Sequence, residues 1–181
     1  MKTILSILLL TFSLIPAVAS ASEAAQVLGY TFGASTYAEV ESSLRERGGQ
    51  PLDRGISAHA NGPMLRAGTP RNLGIEGLKD ALMIFNERRI LTAAQLKLPK
   101  HRYDAIVTAL KAKYPLLREQ RPHVGNRVAE FRSGDVLITV DAPHMSFDMT
   151  VSYRTIGFQR AMDEAARAEA EQKRQNDLNQ L

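Results

Sequence analysis

The strictest pattern in this chain is an alternation of apolar and polar residues over positions 145–153. A period of two points successive side chains to opposite faces of a strand. One face then packs on a core while the other meets water, as is typical of antiparallel sheets. The pattern therefore predicts a sheet with one wet face, and it assigns five apolar side chains to the core: Met145, Phe147, Met149, Val151 and Tyr153.

A first helix is predicted to begin after Thr36. Thr36 and Glu39 have the spacing of a capping box, in which each side chain accepts a hydrogen bond from the other residue's backbone amide. Gly48-Gly49 marks the end of this helix. Its apolar stripe consists of Tyr37, Val40 and Leu44.

A second helix is predicted between Pro99 and Pro115, because proline opens helices readily and disfavours the helical conformation in the residue before it. Its apolar stripe consists of Tyr103, Ile106, Val107, Leu110 and Tyr114. Strand patterns lie on both sides of it. They cover Ala81–Phe85 and Ile90–Leu98 before the helix, and Leu116–Gln120, Arg127–Arg132 and Val136–Val140 after it.

The order of these elements predicts an α+β fold, with an antiparallel sheet covered on one side by helices as two layers. Each half of the chain reads as a helix followed by strands, which favours a duplication. Gln26–Phe32 is expected to form one short strand. Gln50–Gly77 is expected to be mostly loop, with an irregular hairpin turned by Asn61-Gly62. Residues 22–156 are assigned to a single domain.

Residues 157–181 are predicted to form a polar C-terminal helix that projects from the domain. Opposite charges four residues apart support a solvent-facing helix. A helix that is polar all round either extends into solvent or meets a partner. The predicted pairs are Asp163/Arg167, Arg167/Glu171 and Glu169/Lys173.

Residues 1–21 have the pattern of a cleaved signal peptide: a lysine, a short apolar run and small residues that fit cleavage after Ala19 or Ala21. The apolar run is too short to span a bilayer, and no later stretch is long enough. The chain has no cysteine, which excludes disulfides and a lipoprotein attachment site. We therefore expect a periplasmic protein without a transmembrane span after cleavage.

Positive charge is concentrated in the middle of the chain. Residues 88–132 contain 11 lysines and arginines against 3 acidic residues, whereas the flanking segments are mildly acidic. Export argues against nucleic acid as the partner. The block instead indicates contact with an anionic envelope component or an envelope protein, and a solvated basic face without a ligand is the plainer interpretation.

No catalytic motif is present in the sequence. It contains no cysteine nucleophile, no Gly-x-Ser-x-Gly elbow, no His-Glu-x-x-His and no nucleotide-binding glycine loop. Paired carboxylates remain open because their spacing is spatial rather than sequential. No cofactor is expected, and the sequence leans against an enzyme without deciding the question.

Two segments carry the candidate binding residues. The loop with Arg121, His123 and Arg127 has two guanidinium groups, whose fork geometry matches phosphate or carboxylate oxygens. His144 has methionine neighbours, and imidazole with thioethers suits Cu(I). Strand geometry and core packing argue against that metal. Arg89, at the start of the basic block, completes the set of candidate contacts.

The segment Ala81–Tyr153 resembles a group of proteobacterial periplasmic proteins without an assigned function. The resemblance lies in a few short motifs: Ile84-Phe85-Asn86, Leu98–Tyr103, Lys113-Tyr114, Val124-Gly125-Asn126 and Ala142–Phe147. The helix-then-strands order is also similar to β-lactamase inhibitor protein and to the small lipoproteins of outer-membrane assembly. That likeness implies a protein-binding role, and it carries over no site residues.

These observations predict a non-enzymatic binding or envelope-assembly protein that uses its basic central surface. The alternative is a small hydrolase, or a small-ligand or metal-binding protein, with its site near His144. The binding-protein hypothesis predicts a flat basic surface. The hydrolase or ligand-binding alternative predicts a deep pocket that contains a titratable residue with a shifted pKa. In a third hypothesis the C-terminal helix recruits a partner. The oligomeric state stays open.

Overall fold

The structure, a computed structural model, describes residues 24–68 and 73–180 of the 181-residue chain. The predicted signal peptide, with its cleavage after Ala19 or Ala21, lies outside the described residues. The elements that follow are given in chain order.

A small antiparallel pair comes first, formed by β1 (Gln26–Val27) and β2 (Tyr30–Thr31). The next elements are α1 (Tyr37–Glu46), β3 (Pro51–Ile56), β4 (Pro63–Ala67), β5 (Asp80–Phe85) and β6 (Leu91–Pro99). A 3₁₀ turn (Lys100–Arg102) leads into α2 (Tyr103–Lys111). The last elements are β7 (Leu116–Gln120), β8 (Arg127–Ser133), β9 (Val136–Ala142), β10 (Asp148–Thr155) and α3 (Ile156–Leu178).

The main sheet has eight antiparallel strands in the order β3-β4-β5-β6-β10-β9-β8-β7. Each half of the chain supplies one helix and four consecutive strands, and the halves join where β6 pairs with β10. Leu98 lies opposite Met149, and Ala93 lies opposite Arg154. The α+β class and the helix-plus-strands repeat expected from the sequence are confirmed.

One face of the sheet is buried beneath α1 and α2. Both predicted helix stripes lie in a single core cluster with the alternate residues of the strands, because each helix has one apolar face. The strands contribute Leu65, Met83, Leu96, Phe131, Ile138 and Val151. The intervening strand residues point to the opposite side, which we call the open face.

The start of α1 follows the predicted capping box. Thr36 Oγ1 accepts a hydrogen bond from the Glu39 amide at 3.3 Å, and Glu39 Oε2 accepts from the Thr36 amide at 2.8 Å. Such a cap satisfies two amides that the helix leaves without partners. The helix ends at Glu46, and Gly48 follows with a φ of 74°.

One prediction for the first half of the chain is wrong. Gln26–Phe32 is not one strand, because Leu28 and Gly29 both have positive φ and turn the chain into a two-stranded hairpin. In Gln50–Gly77 the expected irregular hairpin is confirmed: β3 and β4 pair across the turn at Asn61-Gly62, and the other described residues of this region lie outside strands.

The prediction that Met145 and Phe147 lie in the core is also wrong. β9 ends at Ala142, β10 begins at Asp148, and residues 143–147 form the loop between them. Asp148 lies opposite Pro99, where β6 ends. The alternation in sequence therefore runs past the edge of the sheet, where there is no core for these side chains. Met149, the first apolar residue inside β10, is buried.

The C-terminal helix α3 projects as predicted. Thr155 caps it by accepting a hydrogen bond from the Phe158 amide, and Phe158 is its buried residue. Every residue of 163–180 is exposed. The predicted (i, i+4) ion pairs are absent from this described segment, and Glu171 pairs with Arg174 instead. None of the described helices is long and apolar enough to cross a lipid bilayer.

Candidate functional site

Four of the five predicted site residues lie at one end of the sheet. Arg121, His123 and Arg127 belong to the loop between β7 and β8 or its edge, and His144 lies in the loop between β9 and β10. The two loops are joined, because the His144 amide donates a hydrogen bond of 2.8 Å to Asn126 Oδ1. We call this end, with residues 121–127, 143–147 and Lys100, the tip.

Arg89 lies at the opposite end of the sheet, so it cannot act with the other four. β6 separates the two ends, and nine strand residues span about 30 Å. Arg89 occupies the β5–β6 turn with a φ of 60°, and its carbonyl accepts from the Tyr37 amide at 2.9 Å. Its guanidinium carbon lies 4.5 Å from the Tyr37 ring centroid. These contacts give Arg89 a structural role.

The loop 143–147 is held by Lys100, which the sequence analysis did not single out. The Lys100 amide donates to the Phe147 carbonyl at 2.8 Å. Its ammonium group donates to the carbonyl oxygens of Pro143 and His144. Hydrogen bonds from Lys100 thus fix three backbone carbonyls of the loop, so the loop is already ordered in the unbound protein.

Two predicted arginines flank a buried tyrosine beneath the tip. The guanidinium carbons of Arg121 and Arg127 lie 6.0 and 5.9 Å from the Tyr103 ring centroid, within the range of cation–π attraction. Burial raises the pKa of the Tyr103 phenol, and the nearby Glu119 carboxylate raises it further. The phenol is therefore neutral at physiological pH, and its ring lies against the guanidinium groups of both arginines.

The tip exposes large apolar side chains on both loops. Phe147 is 95% exposed, Met145 is 92% exposed, and Val124 on the neighbouring loop is 69% exposed. Single exposed apolar residues are common on protein surfaces, but a group of them on ordered loops marks an interaction site. Here Phe147 and Met145 stand two residues apart on a loop whose backbone is fixed.

The basic block does not form one continuous surface. Arg88 and Arg89 lie at the far end, and several cations near the tip form ion pairs, including Arg121 with Asp104 at 2.6 Å. Lys100 and Arg127 form no ion pair with any described residue. Their positive charge is therefore free to attract an anion beside the exposed apolar side chains.

Asp148 fixes the boundary between the tip and β10. It accepts from the ammonium groups of Lys79 and Lys97, and its own amide donates to Ser146 Oγ at 3.0 Å. The hydrogen bond from Lys79 is the main reason that the pKa of Asp148 lies below its ordinary value. The carboxylate stays ionised and holds both lysines at the base of the loop.

The geometry does not favour a metal site at His144. Its side chain is exposed, and among residues 24–68 and 73–180 no three His, Asp or Glu side chains are grouped to hold a metal ion. Met145 points into solvent while Met149 is buried in the sheet. The two thioethers that suggested Cu(I) therefore lie in different environments.

Five residues that shape the tip were not predicted as site residues: Lys100, Tyr103, Asn126, Met145 and Phe147. One signal could have found two of them. Pro143 interrupts the strand pattern just before Met145, and proline is rare inside the central strands of sheets. A loop after Pro143 would have placed Met145 and Phe147 outside the core.

Comparison of the chain with protein-family models, with curated proteins and with solved structures finds no significant match to any of them.

Proposed function

We propose that this chain is a non-enzymatic binding protein of the cell envelope that attaches reversibly to an anionic membrane surface through the tip. The observation that carries the proposal is the pair of exposed side chains, Met145 and Phe147, on a loop held in place by an unpaired cation, Lys100. The predicted export signal supports the location.

Membrane attachment accounts for both the apolar and the charged parts of the tip. Apolar side chains that protrude from a loop can enter the boundary between headgroups and acyl chains, and lysine or arginine beside them attracts anionic lipids. Met145 and Phe147 are almost fully exposed, so burying them requires a partner that deforms or is concave. A bilayer surface meets that requirement without a matching pocket.

The expected affinity is modest. Burying one phenylalanine or methionine side chain contributes about 2 kcal/mol, and a basic residue near an anionic surface contributes about 1 kcal/mol. Met145 and Phe147 with Lys100 and Arg127 would then contribute about 6 kcal/mol before the cost of association. This corresponds to reversible attachment rather than permanent anchoring.

The test is co-sedimentation of the chain from Ser22 onward with vesicles of equal parts phosphatidylcholine and phosphatidylglycerol. Phe147→Ser should lower the vesicle partition coefficient about thirtyfold, because about 2 kcal/mol is lost and each 1.4 kcal/mol changes an equilibrium constant tenfold. Ile56→Ser is the matched control, since Ile56 is also an exposed apolar residue but belongs to β3 near the opposite end.

Charge is tested with a second pair of variants. Arg127→Gln should weaken binding to the anionic vesicles, and Arg88→Gln, at the far turn, should not. Absence of vesicle binding, or equal binding by wild type and Phe147→Ser, would overturn the proposal. Equal binding to pure phosphatidylcholine vesicles would overturn its electrostatic part. Capture of a protein at the tip without vesicle binding would favour the protein-docking hypothesis instead.

A further inference from the structure

A second candidate site lies on the open face of the sheet, away from the core. Residues from the first turns of α3 and from β4, β5, β6 and β10 line a groove of about 460 Å³. Its apolar lining includes Met64, Ile84, Ala93, Phe158 and Met162, and His59 also lines it. An apolar groove of this volume lies in the range of small-molecule sites.

A polar groove of about 470 Å³ continues from the apolar one across β6, β10 and β9. Gln95, Ser152 and Arg154 line both grooves and so mark the junction between them. Beyond the junction the lining is Asn126, Val128, Thr139, Asp141 and Thr150. The strand order produces this arrangement, because β6 and β10 are neighbours only through the pairing of the two halves.

Arg154, at the junction, is a half-buried cation without a counter-charge. Nη1 donates to Gln159 Oε1 at 2.9 Å, and Nη2 reaches Thr139 Oγ1 only at 3.5 Å. Nε is buried without a hydrogen-bond partner. Arg154 forms no ion pair with any described residue, whereas Arg66 on β4 pairs with Asp80 at 2.6 Å. Withdrawing a charge from water without compensation is costly.

We propose that the two grooves together bind a single-chain amphiphile with an anionic head. The acyl chain lies in the apolar groove under α3, and the carboxylate or phosphate head lies at Arg154 at the start of the polar groove. Charge complementarity selects this occupant. A guanidinium binds such oxygens through two parallel hydrogen bonds, and the apolar half ends where Arg154 begins.

The apolar groove and Arg154 lie apart from the tip, which the polar groove reaches only at Asn126, and the amphiphile site goes beyond the proposed function. The groove lies under α3, whereas Phe147 lies on the loop between β9 and β10. Phe147→Ser should therefore leave amphiphile binding unchanged. Retention of amphiphile binding by a variant that has lost vesicle binding would keep the two sites distinct.

The test is titration calorimetry of the chain from Ser22 onward with dodecanoate below its micelle-forming concentration. We expect saturable binding of one dodecanoate per chain. Dodecanol and dodecyltrimethylammonium have the same chain with a neutral or cationic head, and both should bind at least about tenfold more weakly. Dodecyl phosphate, compared with dodecanoate, distinguishes a phosphate head from a carboxylate head.

Arg154→Gln should lower the affinity for dodecanoate about tenfold while leaving the affinity for dodecanol unchanged. Arg132→Gln is the matched control, because Arg132 is exposed on β8 and does not line either groove. Arg154→Lys keeps the charge but loses the two parallel hydrogen bonds, so its affinity should lie between those of the wild type and Arg154→Gln. Met162→Asn tests the apolar half from the helix side, without altering the sheet or adding a charge, and should weaken dodecanoate and dodecanol binding alike.

Absence of saturable dodecanoate binding to the wild-type chain would overturn the proposal. Equal affinity of wild type and Arg154→Gln, or equal binding of dodecanoate and dodecanol, would overturn the assignment of the head group to Arg154. If Arg154→Gln does not fold, the comparison of the head groups on the wild-type chain and the Met162→Asn variant still test the proposal.

Discussion

The backbone amide of Lys100 donates a hydrogen bond of 2.8 Å to the carbonyl oxygen of Phe147. This bond attaches the loop that carries an almost fully exposed phenylalanine to the end of β6, near the middle of the sheet. Because the ammonium group of Lys100 also holds two other carbonyls of the loop, Phe147 is presented on a fixed backbone. A partner that buries Phe147 would not have to order the loop first.

Removal of the Asn126 side chain should loosen the loop without unfolding the domain. Asn126→Ala loses the acceptor of the His144 amide, a bond at the surface that contributes about 1 kcal/mol. We expect faster hydrogen exchange of the amides of residues 144–147, measured by mass spectrometry, with little change in global stability. Asn126→Asp keeps an acceptor and should exchange as the wild type does. Unchanged exchange in Asn126→Ala would contradict the prediction.

Asp148 should stabilise the fold only where its carboxylate is ionised. The hydrogen bond from Lys79 lowers the pKa of Asp148 below its ordinary value of 3.8. The contribution is therefore fully present above the unfolded-state pKa, and it is lost as pH falls through the lower folded-state pKa.

We expect Asp148→Asn to melt below the wild type at about pH 7 and to match it at about pH 2, after protonation of the carboxylate. Thermal unfolding followed by circular dichroism measures the difference. Asp135→Asn is the control, because the Asp135 side chain forms no ion pair with any described residue. A difference between wild type and Asp148→Asn that persists unchanged in acid would show that the ion pairs do not cause it.

The hydroxyl of Tyr103 should contribute nothing to stability. It is buried without a hydrogen-bond partner, whereas the Tyr114 hydroxyl accepts from the Gln26 amide at 3.3 Å. Tyr103→Phe keeps the ring beneath both arginines and removes an unsatisfied group, so its free energy of unfolding should equal or exceed that of the wild type by up to about 1 kcal/mol.

Urea denaturation measures this effect, with Tyr114→Phe as the comparison. Tyr114→Phe should lose about 1 kcal/mol with its hydrogen bond. A loss of similar size in Tyr103→Phe would mean that its hydroxyl has a partner, such as an ordered water.

Most of α3 should be dispensable for the fold. A chain ending at Met162 keeps Phe158, and all of the removed residues that the structure describes, 163–180, are exposed. Its free energy of unfolding should stay close to that of the full chain. Phe158→Ala should instead cost about 3 kcal/mol, because it removes a buried ring. Urea unfolding of both variants checks the contrast, and equal losses would contradict the packing described for α3.

The helices could be predicted because their determinants are local. The capping box of Thr36 and Glu39 forms within one helical turn, and a stripe such as Tyr103, Val107 and Leu110 needs only one apolar surface to pack on. The helix-plus-strands repeat could also be predicted, because it depends on the order of elements rather than on their contacts.

The tip could be predicted only in part. Arg121, His123, Arg127 and His144 were identified from two loops, and the structure brings these loops together through Asn126. Arg89 belongs to the same basic block in sequence but lies about 30 Å away along β6, because a strand carries the chain across the whole sheet. Proximity in sequence does not measure distance in an antiparallel sheet.

By itself the sequence determined the α+β class, the helix boundaries and the alternation that gives the sheet a buried and an open face, because periodicity and capping act within a few residues. The tertiary structure alone decided where each strand stops and which strands are neighbours. Met145 and Phe147 are exposed because β10 begins only at Asp148, which lies opposite Pro99 at the end of β6. The tertiary structure also leaves Arg154 without an ion pair, since its hydrogen-bond partners are the neutral Gln159 and Thr139, whereas Asp141, the carboxylate that lines the same groove, lies opposite Thr150 further along the strands. The exposure of Met145 and Phe147 and the lack of an ion pair at Arg154 depend on contacts between residues far apart in the chain, which local patterns do not encode.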